Sequence, residues 1–146
     1  MMAEMGERRE HVGPWMIVVR DVSPTARQKP RGVGEVQWRN AMRDRILDAY
    51  PDAPFGAPEA PIRYSVEIVF RMTAPELTKR TVDLDNLAKP VLDTVFTSAN
   101  VSSKLPTGCL LSVNDTWVFD LHLRKVQVDS PEERGADISV YPGATG

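Results

Sequence analysis

The residues best suited to chemistry lie in one heptapeptide, Asp83-Leu84-Asp85-Asn86-Leu87-Ala88-Lys89. In extended backbone the carboxylates of Asp83 and Asp85, two residues apart, point to the same side. A side-chain oxygen of Asp85 or Asn86 can also cap a helix that begins there. Lys89 then falls about one turn into that helix, near its positive end, where the macrodipole does not favour a cation. A nearby acid cluster or a bound phosphate would account for a lysine in that place. Paired carboxylates suit a hard divalent cation such as Mg²⁺, which takes one or two of them and keeps water and substrate phosphate. Two acids at this spacing fit an ordinary capped helix entry equally well. A third acid, Asp115, opens a later strand. A chain that leaves the helix and returns as that strand can set Asp115 beside Asp83 and Asp85. Three acids and one lysine in a pocket suit metal-assisted phosphodiester hydrolysis. There the metal activates water and holds the leaving oxygen, and the lysine meets charge gained in the transition state.

Hydrophobic periodicity supplies the elements that must hold these residues. Residues 15–20 (WMIVVR) form a short β-branched strand, stopped by Ser23-Pro24. Residues 35–50 form a helix on the stripe Trp38, Met42, Ile46 and Ala49, ended by Pro51, with Arg39, Arg43 and Arg45 on its other faces. Residues 62–70 alternate as a half-buried strand, with Ile62, Tyr64, Val66, Ile68 and Phe70 inward. Residues 73–82 are polar and basic, a loop or irregular edge. Residues 86–97 form a second helix, with Leu87, Val91 and Val95 beside Ala88, Leu92 and Phe96. Proline is cheap only in the first helical turn, so Pro90 sets the start at about Asn86 or Leu87. Residues 98–112 lack a period and read as a surface excursion. In residues 113–126, Trp117, Phe119, Leu121 and Leu123 alternate with Val118, Asp120, His122 and Arg124, the strongest strand pattern of the chain. Residues 136–141 form the last strand, expected to pair with it as a hairpin. The order strand, helix, strand, helix, strand, strand implies an α+β fold. It would be a single domain with a mixed sheet of about four strands and two helices packed on it.

Composition limits the rest. A chain of 146 residues with 42% apolar side chains buries one real core. A single cysteine, Cys109, excludes an intrachain disulfide scaffold. Net charge is −2, so attraction to nucleic acid must come from local clusters. Arg27, Lys29 and Arg31 in one loop, with Lys79 and Arg80 in another, are the available ones. Residues 1–14 read as a charged, flexible leader before a domain over 15–146. The leader lacks the apolar run of a secretory signal, and the apolar run 15–19 is too short to span a membrane. The expectation is a soluble, cytoplasmic protein.

The runs DLDNLAKPVLDTVF and NDTWVFDLHLRK together resemble the RusA-type Holliday junction resolvases. That family's pattern is D-x-D-N-x-x-K at a helix entry, then an acidic pair opening a strand, with a lysine near the strand's far end. Asp83, Asp85, Asn86 and Lys89 match the first motif; Asp115 matches the second acid of the pair and Lys125 the downstream lysine. Asn114 stands where the family has the first acid of the pair. The resemblance implies a Mg²⁺-dependent endodeoxyribonuclease, with Mn²⁺ as a substitute. It would resolve four-way DNA junctions in recombination and repair, and act as a homodimer. It further implies that Asp83, Asp85 and Asp115 bind the metal, that Lys89 is catalytic, and that Lys125 joins Arg27, Lys29, Arg31, Lys79 and Arg80 on DNA.

Other readings have less support. A dehalogenase-type phosphatase would need an apolar strand before its D-x-D, and Thr78-Lys79-Arg80-Thr81-Val82 is not one. A D-x-D glycosyltransferase would need a longer chain. His122 reads as a surface or half-buried strand residue, and Trp15, Trp38 and Trp117 as core. The alternative from another class is a protein that binds junctions without cutting them.

Overall fold

The computed structural model describes residues 13–26, 32–56, 62–78, 83–98 and 105–143. The alternating segments form one sheet of four strands, β1 (Trp15–Arg20), β2 (Tyr64–Thr73), β3 (Val118–Val128) and β4 (Gly135–Pro142). Their order is β1-β4-β2-β3. β4 is antiparallel to both neighbours and β3 is parallel to β2, so the sheet is mixed. The helices are α1 (Val33–Ala49), a single turn α2 (Ala74–Leu77) and α3 (Leu84–Val95). Trp38, Met42 and Ile46 of α1 and Leu87, Val91 and Val95 of α3 share a core with Ile17, Val66, Ile68, Ile138 and Val140. This is the α+β arrangement expected from the periodicity. Ala49, placed on the apolar stripe of α1, is exposed at its end. The leader lies outside the described residues except for Gly13 and Pro14.

The last two strands do not form a hairpin. β4 lies between β1 and β2, while β3 lies beyond β2 at the sheet edge. Burial explains the exchange. The inward residues of β4, Ala136, Ile138 and Val140, are almost wholly buried and need a strand on either side. β3 carries Asp120, His122 and Arg124, which an edge tolerates. The edge position also leaves Trp117 at 39% and Phe119 at 57% exposure, so Trp117 is not a core residue. At the start of β4, Gly135 has φ +148°, and a Cβ there would stand 1.8 Å from the Val19 carbonyl oxygen. Only glycine lets β4 run this close to β1.

Residues 73–78, the described part of the segment read as a polar loop, form a capped helical turn. Thr73 donates its backbone N–H and its hydroxyl to Glu76 Oε1, at 2.8 and 3.0 Å, and so starts α2. Glu76 also accepts from the Ser23 hydroxyl, and Arg134 stands 3.5 Å away. One carboxylate thus ties together the segment after β1, the end of β2 and the entry to β4. Burial would raise its pKa, but the hydrogen bonds from Ser23 and Thr73 and the charge of Arg134 outweigh burial and pull it below the ordinary value of 4.5. The folded value lies below the unfolded one. The stabilisation is therefore complete above about pH 4.5 and is lost as pH falls through the folded value. Glu76→Gln should lower the urea midpoint at pH 7 and narrow the gap between the wild-type and variant midpoints as pH falls toward 3. A constant gap across that range would contradict this.

Candidate active site

The parallel pairing of β2 and β3 forces the chain between them to run back along the sheet, and α3 is the returning element. Phe96, just past α3, packs against Tyr64 at the start of β2, with ring centroids 5.7 Å apart. The N-terminal end of α3 therefore lies toward the far ends of β2 and β3. Its C-terminal end lies where β3 begins.

α3 starts at Leu84, earlier than Pro90 suggested. The Leu87 N–H donates to the Asp83 carbonyl at 3.0 Å, so a first turn forms well before the proline. Pro90 leaves one carbonyl, that of Asn86, without its helical donor, and Asn86 is exposed to water. Asp83 takes the N-cap position but makes no side-chain cap hydrogen bond, and both it and Asp85 are exposed. The positive end of α3 favours both charges.

Asp115 stands at the opposite end. Its backbone N–H donates to the Thr97 carbonyl at 3.1 Å, and Asn114 bridges to Thr97. Asn114 Oδ1 accepts from the Thr116 N–H at 2.9 Å and caps the 3₁₀ turn Asp115–Trp117. The residue in the place of the family's first acid thus serves as a cap here. Lys89 reaches from mid-helix to this end: Nζ lies 4.0 Å from Asp115 Oδ2 and 3.8 Å from Asp93 Oδ1. The lysine side chain is 45% exposed, whereas Asp93 is fully buried. Lys89 is therefore held by acids on one side and open to solvent on the other.

The structure brings Lys89 and Asp115 together. Asp83 and Asp85 sit at the other end of a 12-residue helix, which is about 18 Å long. Among the described residues, no group of three His, Cys, Asp or Glu is placed to hold a metal ion. The donor chemistry at the helix entry nonetheless fits Mg²⁺, because two exposed carboxylates suffice for an ion that keeps water and phosphate ligands. Of the residues assigned to DNA, Lys125 is half-buried on β3 beside Phe70. Arg27, Lys29, Arg31, Lys79 and Arg80 lie outside the described residues.

The described part of the supposed surface excursion, residues 105–112, is a buried closure of α3. Leu105, Leu110 and Leu111 are buried, as is Val113 just after them. The N–H groups of Cys109, Leu110 and Leu111 donate to the carbonyls of Thr94 and Val95 at 2.8 to 3.2 Å, satisfying the end of the helix. Arg39, expected on an outer face of α1, is fully buried beneath this segment. Its Nε donates to Thr94 Oγ1 at 3.0 Å, its Nη2 donates to the Pro106 carbonyl, and Glu35 stands 3.6 Å away. Burial pushes the Cys109 thiol pKa up despite Arg43 and Arg39, so this cysteine is a poor nucleophile.

Sequence reasoning missed Asp93 and Arg39. An acid inside the apolar rows of α3, four residues after Lys89, was the available signal for the first. No protein-family model and no curated protein matches the chain. Asp93→Ala should destabilise the protein by about 1–3 kcal/mol in urea unfolding, because a buried partner of Lys89 is lost while the lysine keeps its water. An unchanged midpoint would remove Asp93 from this role.

Proposed function

We propose that this chain is a RusA-like, Mg²⁺-dependent endodeoxyribonuclease that resolves four-way DNA junctions by paired phosphodiester hydrolysis. The observation that carries the reading is the approach of Lys89 to Asp115, 4.0 Å across the return from α3 to β3. It joins the two motifs that are 26 positions apart in the chain (115 − 89). In this reading Asp83 and Asp85 hold the ion at the entry of α3, Asp115 orients Lys89 from the other end of the helix, and Lys89 meets the phosphate. The metal, when bound, supplies an activated water and neutralises phosphate charge; Mn²⁺ would serve in its place. Two copies of the chain would present two equivalent sites to the two equivalent strands of a junction.

A junction-binding protein without cleavage is the second reading. The capping role of Asn114 and the spread of the acids along α3 favour it.

Mutants separate the two. Asp83→Asn, Asp85→Asn and Asp115→Asn should each abolish cleavage of a labelled junction in Mg²⁺ while leaving binding intact or tighter, since acid next to DNA repels it. A mutant that cuts at the wild-type rate removes its residue from the site. Lys89→Ala should lose about 10²–10³ in single-turnover rate, as for removal of one pre-organised donor, and excess Mg²⁺ should not restore it. Full recovery at high Mg²⁺ would reduce Lys89 to a partner of the acids.

A further inference from the structure

β3 has an open edge: among the described residues no strand pairs beyond it. It runs for 11 residues, contains no proline and keeps an unbroken register with β2 from Asp120 to Val128. Phe119 and Leu121 are 57% and 39% exposed on it. A long, regular edge exposes unpaired backbone N–H and C=O groups to another strand, and the charges on it decide which strand is accepted. The residues along this edge favour one occupant. The run Val118-Phe119-Asp120-Leu121-His122-Leu123-Arg124-Lys125-Val126 is complementary to its own reverse about His122.

We propose that β3 pairs antiparallel with β3 of a second copy, about a two-fold axis at His122, to make one continuous eight-stranded sheet (four strands from each copy). In this register Asp120 lies opposite the partner's Arg124, and Arg124 opposite the partner's Asp120. Leu121 lies opposite the partner's Leu123, Val118 opposite the partner's Val126, and Phe119 opposite the partner's Lys125. Leu121 and Leu123 share the sheet face of Val66 and Ile68, so pairing extends the core face across the axis. Asp120 and Arg124 are exposed on the opposite face, where the pairing sets unlike charges directly across from each other. A shift of one residue in either strand would bring Asp120 opposite Leu123 or Lys125 and would lose the Leu–Leu contact, so the pattern selects its register. The interface is isologous, as a closed dimer requires.

This inference deepens the dimer named in the proposed function. Its test uses neither DNA nor metal, so either idea can fail alone. The test is sedimentation equilibrium of the full chain over a concentration series, with thermal melting to confirm folding. The wild type should approach twice the chain mass of 16.3 kDa. Asp120→Arg and Arg124→Asp should each raise the dimer dissociation constant roughly 10- to 100-fold, since each sets two like-charge pairs across the axis. The double variant carrying both changes should restore dimerisation, because the opposed charges are again unlike. A wild-type monomer throughout the series would overturn the proposal. Dimerisation indifferent to the single changes, or a folded double variant that stays monomeric, would overturn it as well.

Discussion

A fully buried guanidinium, that of Arg39, holds together the segments on which the candidate site is built. It belongs to α1, donates to Thr94 near the end of α3, and donates to Pro106 in the segment leading to β3. Glu35, one turn before it and equally buried, balances its charge. A buried cation without such partners would cost several kcal/mol, so the three segments must keep their relative places. The return of the chain from α3 is fixed by this demand. Leu110 and Leu111 then fill the core beside Val95 and Phe96, and Asn114 and Asp115 attach to Thr97. The position of the Asp115 carboxylate relative to Lys89 follows from that attachment.

The second constraint is the parallel pairing of β2 and β3. It makes α3 run the length of the sheet, which puts Asp83 and Asp85 at one end and Asp115 at the other. Lys89 is the one described cation that links the body of α3 to the start of β3. Its reach toward the C-terminal end of the helix is set by Asp93, an acid one turn further on. Crossing from β2 to an outer β3 also leaves β3 at the edge. The topology that sets Asp115 beside Lys89 therefore also creates the exposed strand. Both arise from one connection, and Trp117 and Phe119, stacked with ring centroids 6.4 Å apart, stand where β3 begins.

Much of this was legible in the residues. Strict alternation gave the inward face of β2, from Tyr64 to Phe70, and the 3.6-residue rows gave the buried face of α3. What escaped was set by tertiary contact. Arg39 is polar in any sequence scale, and only the carbonyl of Pro106 and the hydroxyl of Thr94 make its burial tolerable. The segment around Leu110 has no period because its backbone caps a helix instead of pairing in a sheet. The alternation of β3 is the clearest in the chain, yet β3 lies at the sheet edge. Alternation reports the faces of a strand and says nothing of whether it lies at the centre or the edge. The motif D-x-D-N-x-x-K does lie at a helix entry, but the cap position falls on Asp83, with Asp85 and Asn86 inside the first turn; Pro90 misplaced the first helical residue, because an exposed carbonyl at Asn86 lets a proline stand in the second turn.

The central claim is metal-dependent cutting of branched DNA. Its most direct measurement is incubation of the wild-type chain with an end-labelled four-way junction and with the matching linear duplex, in Mg²⁺ and in EDTA. The account predicts nicks at symmetry-related positions on opposite strands of the junction in Mg²⁺, none in EDTA, and none in the duplex. Retention of the junction in a bound complex with every strand intact, in Mg²⁺ and in Mn²⁺ alike, would contradict it.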